Sequence, residues 1–97
     1  MASWSCKLSE GNPYTLTKGY DNMFLNITNA ILTNNSKPGK SYLMITKGVE
    51  TFTVGMLKKD QVVQLRLDLA VTKEENIRLS LSGPGEVKLL GNFEKYV

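Results

Sequence analysis

Residues 61–71 read Gln-Val-Val-Gln-Leu-Arg-Leu-Asp-Leu-Ala-Val, with Val63, Leu65, Leu67, Leu69 and Val71 at every second position. Gln64, Arg66, Asp68 and Ala70 fill the gaps between them. Side chains of a β-strand alternate between two faces, so this spacing sets one apolar row against a core and one mixed row away from it. A helix would scatter the same leucines around its circumference.

The same period of two recurs on either side. Downstream, Ile77, Leu79 and Leu81 alternate with Arg78, Ser80 and Ser82, and Val87, Leu89, Gly91 and Phe93 with Lys88, Leu90 and Asn92. Upstream, Trp4, Cys6 and Leu8 alternate with Ser3, Ser5 and Lys7. Residues 23–32 carry Leu25, Ile27 and Ile31 on one parity and Phe24, Ala30 and Leu32 on the other, so both faces of that strand read as partly covered. Tyr42–Lys47 and Thr51–Leu57 are shorter runs rich in β-branched and aromatic residues. Turn-forming clusters separate the runs: Glu10-Gly-Asn-Pro13, Lys18-Gly-Tyr-Asp-Asn22, the long loop Thr33 to Lys40, Gly48 to Glu50, Lys58 to Asp60, Thr72 to Glu75 and Gly83-Pro-Gly85. Strands at intervals of roughly 8–12 residues belong to an all-β sandwich, jelly roll or barrel.

Composition narrows the function. The 97 residues make one domain, with 41% hydrophobic and 22% charged residues, which is globular composition. There is no histidine and only one cysteine, Cys6. A Ser-His-Asp or Cys-His catalytic set, a Cys/His zinc site and an internal disulfide therefore cannot be built within the chain. No catalytic, cofactor-binding or metal-ligating residue is expected. The net charge of +3 is spread along the chain, and Lys58-Lys59 is followed at once by Asp60, so the basic residues read as solvated faces and not as a phosphate-binding stripe. The N-terminus has no apolar signal region and no run approaches the length of a membrane span. Gly83-Pro-Gly85 precedes a strand, so it reads as turn geometry without a helix N-terminus to hold an anion.

The ordered features resemble a known family. They are Trp4, the Glu10-Gly-Asn-Pro-Tyr14 turn, Ile27-Thr-Asn-Ala-Ile-Leu32, Gly39-Lys-Ser-Tyr-Leu43, Phe52-Thr-Val-Gly-Met-Leu57, Gln64-Leu-Arg-Leu-Asp-Leu69 and Ser82-Gly-Pro-Gly-Glu-Val-Lys-Leu-Leu-Gly91. Their order and spacing are similar to the nucleoplasmin-like domain, in particular the version at the N-terminus of nuclear FK506-binding immunophilins and of plant HD2-type proteins. The resemblance covers about residues 3–93 of the single domain 1–97. It implies an eight-stranded antiparallel jelly-roll sandwich. It also implies a homopentamer of wedge-shaped protomers, in some members stacked as a decamer, that serves in the nucleus as a histone chaperone in nucleosome assembly. The partners it implies are copies of the chain itself and the core histones H2A–H2B and H3–H4, without sequence-specific nucleic acid binding.

One departure from the family pattern bears on mechanism. Family members carry acidic runs, whose field attracts basic histones. Here the loop from Thr33 to Ser41 has no carboxylate, and Glu74-Glu75 is the only adjacent acidic pair. An acidic tail, and in the immunophilin version a prolyl-isomerase domain, is expected beyond Val97. Within the chain, Glu50, Asp60, Glu74 and Glu75 are the candidate histone-facing carboxylates, each of which a solvated turn also explains. Leu25, Ile27, Asp68, Leu89 and Leu90 are the subunit-interface candidates: the first two lie on the strand with apolar residues on both parities, and the last two are adjacent apolar residues. Asp68 either faces water or pairs at a subunit contact with Arg66 or Arg78 of a neighbour, since a buried carboxylate needs a partner. Trp4, Tyr14 and Phe52 are expected as core or interface anchors, and Cys6 as a small buried residue. A cyclic oligomer with interfaces of roughly 2,000 Å² or more would cover the surplus apolar surface. Two other classes remain open: an inert N-terminal assembly domain of a prolyl isomerase, and a structural or carbohydrate-binding jelly roll.

Overall fold

The computed structural model describes residues 2–16, 23–72 and 76–95. They form the strands β1 (Ala2–Ser9), β2 (Tyr14–Thr15), β3 (Met23–Leu32), β4 (Lys40–Lys47), β5 (Glu50–Lys58), β6 (Gln64–Val71), β7 (Ile77–Ser82) and β8 (Glu86–Lys95). The eight-stranded antiparallel sandwich that the alternation and the resemblance both predict is present. One sheet has the order β1-β8-β3-β6 and the other β2-β7-β4-β5. The two orders run in step, so β1 and β2 edge one flank of the sandwich and β6 and β5 edge the other.

The inward rows meet in one core. Leu8, Leu25, Ile27, Ala30, Val71, Val87 and Leu89 come from the first sheet, and Leu43, Ile45, Leu57, Ile77, Leu79 and Leu81 from the second. Each buried aliphatic side chain contributes about 1.5–3 kcal/mol relative to exposure. Close approach of β3 and β8 requires Gly91, where a Cβ would stand 2.5 Å from the Asn26 carbonyl oxygen.

The mixed parity of residues 23–32 has a different cause from double coverage. The register of β3 shifts between Ile27 and Asn29 against both neighbours: Thr28 is an extra residue against β8, a β-bulge, whereas against β6 two residues, Leu67 and Asp68, stand opposite Thr28. The bulge reverses the parity, so Leu25 and Ile27 before it and Ala30 after it all point inward. The outer row then holds Phe24, Asn26, Asn29 and Ile31. Thr28 and Asn29 stitch the bulge: Thr28 Oγ1 donates to the Leu90 carbonyl (3.3 Å), Asn29 Nδ2 to Thr28 Oγ1 (3.1 Å), and Gln64 Nε2 to Asn29 Oδ1 (3.3 Å).

Candidate assembly surface

The two flanks are closed unequally. On the β1–β2 side, Trp4 and Tyr14 pack edge to face, with ring centroids 5.6 Å apart and planes at 68°. Both are partly buried against the core, as is Cys6 beside them. Burial pushes the Cys6 thiol up to about 11, so it behaves as an apolar group.

On the β5–β6 side, the inward leucines of β6 are only half covered. Leu65, Leu67 and Leu69 touch the core but stay partly exposed, as does Val54 of β5. Phe52 pairs across to Ile45 on the inward face of β5, yet keeps 49% of its surface open, and Val63 keeps 50%. Phe52 is thus no core anchor, because it sits on an edge strand with no strand beyond it among the described residues. The strands approach closely at Gly55, where a Cβ would lie 2.6 Å from Leu65 Cδ1. Two apolar flanks of different composition therefore stand on opposite sides of one protomer.

The residues singled out from the sequence do not converge on one patch. Leu25, Ile27 and Leu89 lie at 0–1% exposure inside the protomer's own core, so they have no surface left to give a neighbour. The bulge in β3 and the central place of β8 put them there. Leu90 lies half-buried on the outer face of the first sheet, and Asp68 is exposed on the same face of β6 with no ion pair among the described residues. Glu50 pairs across the β4–β5 turn with Lys47, while Asp60 follows Lys58, whose partner Lys40 begins β4. Those two carboxylates thus stand at opposite ends of the β4–β5 ladder. Asp60 adopts φ of 65°, a left-handed turn geometry that aspartate tolerates. It also lines a cleft of about 470 Å³ with Leu32, Thr33, Asn34, Lys59 and Val63. Glu74 and Glu75 lie outside the described residues.

Sequence reasoning missed Glu86. Its carboxylate accepts from Thr33 Oγ1 (2.7 Å) and Asn35 Nδ2 (3.3 Å). Those two hydrogen bonds, Thr33's the stronger, hold the carboxyl below its ordinary range, helped slightly by Lys7. Ser36, buried at 3%, donates to the Glu86 carbonyl (3.1 Å) and accepts from the Glu86 amide (3.0 Å). The long loop after β3 is thereby pinned to the start of β8. Its Thr, Asn and Ser content signals turn chemistry, but the partner is 50 residues away and leaves no local trace.

A family model for the nucleoplasmin-like domain matches residues 3–94. The chain belongs to the nucleoplasmin-like family. Solved structures share the fold of this nucleoplasmin-like domain. The Drosophila NLP core, described for pentamer formation and histone binding, superposes with a TM-score of 0.81 at 16% identity, covering 98% of this chain and 100% of that one. The nucleoplasmin-like N-terminal domain of Drosophila FKBP39 superposes with a TM-score of 0.73 at 20% identity, covering 99% of this chain and 90% of that one. Comparison with curated protein sequences gives no match.

Proposed function

We propose that this nucleoplasmin-like domain is an oligomerising, non-enzymatic histone-chaperone core that works in the nucleus. The observation that carries the reading is the pair of unlike apolar flanks on opposite sides of the protomer. A heterologous contact, β5–β6 flank against a neighbour's β1–β2 flank, closes into a ring without exposed edges. The pentamer formation described for the NLP core suggests that five copies close it. Leu65, Leu67 and Phe52 of one protomer then bury against the Trp4–Tyr14 side of the next.

Histone engagement follows from repetition. With a net charge of +3, the protomer has no long-range attraction for basic histones. A ring presents each local carboxylate several times, and effective concentration raises avidity without new contacts. Among the described candidates Asp60 is the best placed: beside Lys59, its cleft sets a carboxylate for the head of a lysine or arginine next to apolar Leu32 and Val63 for the stem. Gel filtration coupled to light scattering should give about five times the 10.8 kDa protomer mass. A particle of one protomer mass would overturn the reading. Titration with H2A–H2B and with H3–H4 at two salt concentrations should show weaker binding at the higher one.

A second reading is favoured by the likeness to the FKBP39 N-terminal domain: the chain serves as the assembly domain of a prolyl isomerase. A ring that ignores both histone pairs would select it.

A further inference from the structure

A cleft of about 450 Å³ opens on the outer face of the second sheet, below the turn that follows β1. Its floor crosses three strands at one level: Arg78 of β7 pairs with Thr46 of β4, and Thr46 with Thr51 of β5. Ser80 continues the floor, and Ser9, Gly11 and Pro13 form the wall.

Among the described residues, Arg78 is the sole ionisable side chain lining this cleft. Both its cross-strand neighbours are threonines, although an acidic neighbour is what stabilises an arginine on a sheet face. It makes no hydrogen bond or ion pair among the described residues. The hydroxyls around it have protons to give. Ser9 Oγ accepts from Asn12 Nδ2 (3.1 Å), which leaves its own proton free. Thr46 Oγ1 and Thr51 Oγ1 share one hydrogen bond (2.9 Å), which uses one of their two protons. The cleft thus offers a forked cation and several hydroxyl donors, with no carboxylate among the described residues that line it.

We propose that this cleft binds a phosphoryl group borne on a serine or threonine of a partner polypeptide. A guanidinium meets two phosphate oxygens with parallel hydrogen bonds, and a tetrahedral phosphoryl keeps a third oxygen for the hydroxyls. A carboxylate has no third oxygen to use them. A nucleic acid fits less well, because a chain of phosphates calls for several cations and its bases for aromatic faces, and the described lining of the cleft has one cation and no aromatic ring.

The test is an amide chemical-shift titration of the assembled protein at constant ionic strength. The probes are inorganic phosphate, a phosphoserine peptide, its unphosphorylated twin and a short single-stranded DNA. Phosphate and the phosphopeptide should shift Gly11, Thr46, Thr51 and Arg78, and the twin should not. R78Q should weaken phosphopeptide binding about tenfold or more, and R78K, which keeps the charge but not the fork, by less. Arg78 is exposed, so neither change threatens the fold; T46V/T51V, which keeps the arginine, should also weaken binding. Equal binding by R78Q, equal response to the unphosphorylated twin, a stronger response to DNA, or a response to phosphate without the phosphopeptide would each overturn the proposal.

Discussion

β6 and β8 carry nearly the same alternating pattern, and the structure treats them differently. Val87 and Leu89 of β8 are fully buried, whereas Leu65, Leu67 and Leu69 of β6 stay partly in water. The difference is place. β8 lies between β1 and β3, while β6 is an edge with no strand beyond it. Period tells which face of a strand turns inward, and sheet order tells how deeply. An apolar row at an edge is unfinished within one protomer, and it asks for a neighbour.

The contrast can be broken first at its buried end. Leu89→Ala should cost about 2–5 kcal/mol, because it opens a cavity in a core that cannot collapse around it. Gly91→Ala should follow at about 1–3 kcal/mol, since the new methyl meets the backbone of β3, which has no room to yield. Thermal or denaturant unfolding measures both. On β6, Leu67→Ser should cost the protomer only about 1 kcal/mol, because the side chain is half in water already. Its main effect should be on mass in light scattering, where the ring gives way to a single protomer. If Leu67→Ser instead leaves the ring mass unchanged, the β5–β6 flank is not the interface. Gly55→Ala should be milder still, within about 1 kcal/mol. The clash there is with the tip of Leu65, and a half-exposed leucine can swing aside.

The same contrast marks what the sequence could disclose. The rows at 61–71, 77–82 and 87–93 announced their strands and inward faces by period alone. Residues 23–32 did not, because a bulge inserts one residue and swaps the parity midway, and only the registers with β6 and β8 reveal it. For the same reason Leu25 and Ile27 read as interface residues and proved to be core; Leu89 read so because Leu90 beside it is apolar, and the central place of β8 buries it. β2 has two residues, too few to show any period. The apolar flank at β5–β6 was hidden because it depends on which strands end up as edges. The tie between Glu86 and the loop at 33–36 joins segments about 50 residues apart, so no local pattern encodes it.

That tie yields the smallest and most specific prediction. β8 is anchored at its first residue by the Glu86 carboxylate, while Asp68 on β6 makes no hydrogen bond among the described residues. The folded state holds Glu86 below its ordinary value of 4.5, so folding favours the ionised form. Its contribution is therefore complete above the unfolded value and disappears as pH falls through the folded one. Unfolding of the native protein and of Glu86→Gln should be compared from neutral pH downward. The native protein should be the more stable at neutral pH, and the gap should close once the pH has dropped well below 4.5. Asp68→Asn should leave neutral-pH stability within about 0.5 kcal/mol, as surface changes without partners do. A gap for Glu86→Gln that persists unchanged into acid would show that the loop is held by Ser36 and the backbone alone, and that the carboxylate adds nothing to the anchoring of β8.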